Sequence, residues 1–103
     1  MDRIYVEGEL PVALKLIVGQ TEHAIKKVMM RQMTAIEYVQ SQAALEPDCY
    51  IGIADVAAMT KLIDEDNHEH IITYDMLGNS SRSNLDYLNK LKNQLEAKEK
   101  AES

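Results

Sequence analysis

The chain has 103 residues, a formal net charge of −6, one cysteine, no Trp and no Phe, which fits a single domain with a modest core built from Leu, Ile, Val, Ala and Met. The acidic balance speaks against duplex nucleic acid or an anionic membrane surface as the ligand, since both call for a basic patch, and no apolar run approaches the roughly 20 residues that span a bilayer. A lone Cys49 leaves no intramolecular disulfide and Met1-Asp2-Arg3 opens no charged-then-apolar leader, so a soluble cytosolic protein is expected, with some stability gained from self-association or a partner.

The first third has the two-residue period of strands. Ile4 and Val6 alternate with Tyr5 and Glu7 up to a break at Gly8 and Pro11; Val12, Leu14, Leu16 and Val18 then alternate with Ala13, Lys15 and Ile17. Gly19 to His23 predicts a turn. Ala24 to Arg31 continues as strand, with alternation that falters at Lys26-Lys27 and suggests a bulge or a lysine-guarded edge strand. Thr34 and Glu37 then form a capping box. They start a helix that should run to about Leu45, with Ile36, Val39 and Ala43 on one face and Pro47 behind it as a stop. A second amphipathic stripe, Ile53, Val56, Ala57, Thr60 and Ile63, predicts a helix ending near Ile63. Asp64 to His70 reads as a polar connection, after which Ile71 and Ile72 return to the core. Thr73 caps a short helix that Gly78 ends. Ser83 opens the last helix, marked by Leu85, Leu88, Leu91 and Leu95. The whole is a small α+β domain over residues 1–95: an N-terminal antiparallel hairpin or sheet, then three to four helices. Residues 96–103 form a charged tail that frays or extends as a solvated helix.

Little in this pattern supports catalysis or a cofactor. Asp64, Asp66 and Asp75 match three positions of a calcium loop, but Glu69 stands where that loop needs Gly. His68-Glu69-His70 has the wrong spacing for a zinc helix. The cluster reads more simply as a solvated loop, with a small metal-binding protein as the rival. Cys49 has no nearby His or CxxC partner and reads as a small buried hydrophobe. Met29, Met30 and Met33 offer either a surface that repacks around partners or gap-filling in a core short of aromatics, the second carrying more weight. Leu88, Leu91 and Leu95 have the spacing of an oligomer seam or a partner-helix groove, and equally that of packing within the domain.

Beyond these physical readings, the stretch from Lys27 to Val39, with Arg31, Thr34 and Glu37 in place, resembles the phage tail assembly chaperones of contractile-tailed, Mu-like phages and prophages. Glu37 stands where an Asp is common. Ile53 to Ile63, Ile71 to Leu77 and Ser83 to Leu88 follow the order of that family's later segments, so the resemblance covers about Pro11 to Leu95. It implies a non-enzymatic chaperone of the host cytosol, homo-oligomeric, which coats the tape measure protein, helps recruit the tail-tube protein, and leaves before the tail is complete. A structural tail or neck component of a phage is the alternative.

Overall fold

The computed structural model describes residues 4–102. Strands β1 (Tyr5–Val18) and β2 (Thr21–Arg31) form a long hairpin. Helices α1 (Ala35–Ala43) and α2 (Ile51–Met59) follow, then β3 (Thr60–Ile63), β4 (Glu69–Ile71), α3 (Tyr74–Gly78) and α4 (Arg82–Glu102). The sheet has the order β1-β2-β3-β4 with every pairing antiparallel, so the protein is a small α+β fold. One face of the sheet carries Leu10, Leu14, Ile25, Val28, Met30 and Leu62. Onto it pack Val56 and Ala57 of α2, Leu77 of α3, and Leu88, Leu91 and Leu95 of α4. The opposite face carries the cross-strand row Glu7, Met29, Lys61 and Ile71. Arg31 of β2 reaches over β3 to Glu69 of β4, 2.8 Å away, on that face.

The break expected at Gly8 and Pro11 is a bulge inside one continuous strand. Glu9 pairs with Lys27 and Leu14 with Ile25, so β1 runs through four intervening residues while β2 runs through one, Lys26. The irregularity read at Lys26-Lys27 is real, but the extra residues lie in β1. Nor is β2 an edge: β3 pairs with it through Val28, Met29 and Met30. Pro11 is tolerated because β1 is the edge strand and its missing N–H breaks no ladder.

Helix α4 supplies the partners that a fifth strand would have supplied to this edge. Asn84, fully buried, accepts from the Val12 amide at 3.0 Å and donates to the Val12 carbonyl at 2.9 Å. Its carboxamide thus pairs with the bulge as a neighbouring peptide would. Tyr87 Oη accepts from the Glu9 amide at 3.1 Å, and the Lys98 ammonium donates to the Tyr5 carbonyl at 3.1 Å. A Cβ at Gly8 would stand 1.8 Å from Tyr87 Oη, so the glycine permits this close approach.

Four further expectations change. The hairpin turn is only Gly19 and Gln20, with Gly19 at φ 65; His23 is a half-buried residue of β2 rather than part of the turn. The second helix stops at Met59, and Thr60 and Ile63 belong to β3. Thr60 Oγ1 donates to the Val56 carbonyl at 2.7 Å, closing the helix end, and sheet pairing with β2 overrides the helical spacing. Ile71 is exposed, in an unforeseen strand β4, while Ile72 is in the core. The last helix opens at Arg82, where Ser81 Oγ accepts from the Ser83 amide at 3.1 Å, so Ser81 caps it instead of Ser83. That helix continues to Glu102.

Candidate protein-binding surface

Helix α1 is built by local chemistry and left outside by the fold. Thr34 Oγ1 accepts from the Glu37 amide at 3.2 Å while Glu37 Oε1 accepts from the Thr34 amide at 2.9 Å, the complete capping box read from the sequence. The predicted apolar stripe exists, but it faces solvent: Ile36 is 67 % exposed, Val39 61 % and Tyr38 45 %, and no residue of α1 is buried. A nine-residue helix has little stability of its own. It is tied to α2 by Gln42 Nε2, which donates to Asp55 Oδ1 at 2.5 Å. Tyr50 and Ile51, at the start of α2, are also exposed, with the Tyr50 amide held by the Tyr74 hydroxyl at 2.9 Å.

Between α1, α2 and α4 runs a groove of about 500 Å³. Met33, Tyr38, Val39 and Met59 line it with apolar surface, and Glu96 and Glu99 of α4 stand along it. Single apolar residues on a surface carry no message, but a stripe of them beside an apolar groove is a candidate contact site.

The methionines and leucines singled out in the sequence are separated by the fold. Met30 is in the core and Met29 lies half-buried on the other face of the sheet, because successive strand residues point to opposite sides. Met33, beyond the strand, lines the groove. Leu88, Leu91 and Leu95 are all buried against the sheet. Of the two readings of that stripe, the structure shows packing within the domain, with none of the three left on the surface. The exposed pair Ile36 and Val39 is visible in the sequence as a stripe, but nothing in its spacing tells which way it faces.

Of the polar Asp64–His70 segment, Asp64 to His68 form a tight turn between β3 and β4, and Glu69 and His70 open β4. Asp64 Oδ1 accepts from the amides of Asp66 at 2.9 Å and His68 at 2.8 Å, and Asp64 Oδ2 lies 2.7 Å from His70 Nε2. Asn67 takes the left-handed conformation, φ 66, that the turn requires. The His70 contact, then the backbone amides, hold the Asp64 carboxyl at a pKa of about 2. Ligand atoms of Asp64, Asp66 and His68 lie within 4.8 Å of one another, and the turn's own hydrogen bonds account for that closeness. Cys49 is half-buried. Among the described residues no helix is long and apolar enough to cross a membrane.

Set against known proteins, the chain matches no family model, no curated protein and no solved structure. The fold class therefore stands on the sheet and helices themselves, and function has to be argued from the surface.

Proposed function

We propose that this protein is a phage or prophage tail assembly chaperone, which shelters an apolar helical segment of the tape measure protein without making or breaking a covalent bond and supports assembly of the tail tube. The observation that carries the proposal is helix α1, which presents its Ile36–Val39 stripe to solvent and buries none of its residues, while the leucine stripe of α4 is packed inside. The ordered resemblance of the Lys27–Val39, Ile53–Ile63, Ile71–Leu77 and Ser83–Leu88 segments supplies the family. An amphipathic helix binds by laying its apolar face along such a stripe. A short stripe gives modest affinity at each site; many copies along one long helical ruler add avidity and still allow release.

Co-expression with a candidate tape measure protein tests the proposal. The wild type should raise the soluble fraction of that protein, and Ile36→Asp with Val39→Asp should abolish the effect while leaving the melting temperature in place. Equal rescue by the double variant would overturn the role of this surface, and persistence of the chain in purified finished tails would favour the structural-component reading instead.

A further inference from the structure

We infer that the α1–α2–α4 groove selects for a basic side chain, a lysine or arginine carried within the apolar face of the helix it receives. The inference deepens the proposed function, because it states which helices this surface accepts, and it rests on that reading for the identity of the partner. It starts from Asp55. A carboxylate taken out of water is held by hydrogen bonds or by an opposite charge. Asp55 is only 7 % exposed, and one group serves it: Gln42 Nε2 donates to Oδ1. The other oxygen, Oδ2, receives no hydrogen bond and no ion pair from any described residue. Among the described residues no side-chain oxygen or nitrogen that is sealed from solvent lacks a partner, so Oδ2 reaches open space, and the open space that Asp55 lines is the groove.

Two more carboxylates share that groove. Glu96 and Glu99 lie three residues apart on α4, hence on one face of the helix. Lys92 is the cation on the same wall. Among the described residues, neither Lys92 nor any other cation forms an ion pair with Asp55, Glu96 or Glu99. Three acids against one base leave the groove negative. Between them the surface is apolar, through Met33, Val39 and Met59, and Tyr38 adds a ring, a further favourable neighbour for a cation. Apolar walls around unpaired carboxylates match a side chain with a long aliphatic stem and a cationic end. The volume of about 500 Å³ leaves room for that stem and for apolar neighbours beside it. A helix supplies such neighbours, since residues three and four positions from a basic one share its face. A helix with a neutral residue there would bury Asp55 further without a partner, and an acidic one would set like charges together.

Two labelled synthetic amphipathic helices test this with the full chain, identical but for one central residue of the leucine face, arginine in one and glutamine in the other. By fluorescence anisotropy the arginine peptide should bind about tenfold or more tightly, and the gap should narrow as salt is added. Asp55→Asn, and Glu96→Gln with Glu99→Gln, should each shrink the gap while keeping the wild-type circular dichroism spectrum. Should Asp55→Asn unfold, the glutamine pair carries the test. Equal binding of the two peptides, no binding of either, or a gap that the folded variants leave intact overturns the inference. So does a wild-type mass above the monomer's in light scattering that drops to the monomer's in the glutamine pair, which would give the groove to a second copy. Co-expression separates the two readings. A tape measure protein rescued equally by wild type and by the glutamine pair leaves the chaperone standing and removes the selectivity. Selective arginine-peptide binding without rescue of any tape measure protein keeps the selectivity and removes the proposed partner.

Discussion

Replacing Asn84 with alanine should open the edge of the sheet. The Asn84 side chain makes two hydrogen bonds to the main chain of Val12 and is fully buried. A net hydrogen bond contributes about 1 kcal/mol, and a buried group left without a partner costs about 1–3 kcal/mol. Val12 is 47 % exposed, so water reaches part of what the alanine leaves bare, and the expected loss is about 2–4 kcal/mol rather than the full sum. Against a typical domain stability of about 5–15 kcal/mol this is large. With a urea slope of about 1–3 kcal/mol per molar, the denaturation midpoint should fall by about 1 M or more. Asn84→Asp provides the control for shape. It keeps the acceptor for the Val12 amide but turns an oxygen toward the Val12 carbonyl. It should be at least as damaging at neutral pH and recover in part in acid, where a protonated carboxyl can donate. An unchanged midpoint for Asn84→Ala, at constant slope, would refute the idea that this carboxamide stands in for a missing strand.

Thr34→Ala should cost about 1 kcal/mol. Because α1 buries nothing, the loss should appear as faster hydrogen exchange of the Glu37 and Tyr38 amides more than as a lower global midpoint, and unchanged exchange would reject the cap. Lowering the pH should destabilise the protein through Asp64, whose pKa drops from 3.8 to about 2 on folding. The folded state binds fewer protons across that interval, so the contribution is complete above the unfolded value and is lost as pH falls through about 2. In Asp64→Asn the stability-versus-pH curve should be flatter there, and an identical slope would exclude this carboxylate. Deleting residues 96–103 removes both contacts of Lys98 with Tyr5, the hydrogen bond to its carbonyl at 3.1 Å and the ammonium 5.5 Å from its ring centroid, together worth about 1–2 kcal/mol at an exposed site. The loss should be of that size in urea, and a loss above about 3 kcal/mol would show the tail to be firmly docked.

What could be read from the sequence was what neighbours along the chain decide. The capping box at Thr34 and Glu37 forms within a single turn of helix, and Thr73 likewise accepts from the Met76 amide at 3.1 Å. The alternation of Leu14 with Lys15 and Ile17 marks a strand, because side-chain period follows from backbone geometry alone, and the faltering at Lys26 signals an irregularity whose extra residues lie across the hairpin in β1. Tertiary structure decided everything that depends on a partner distant in sequence. Thr60 to Ile63 carries helical spacing and becomes a strand because Val28, Met29 and Met30 offer it an edge. Leu88, Leu91 and Leu95 announce a buried stripe, but only the sheet beneath them shows that their own domain buries it. Ile36 and Val39 announce a stripe just as clearly, and the fold leaves it bare. Periodicity records that a face is apolar; which surface comes to meet it is set by chain topology, which no local pattern contains.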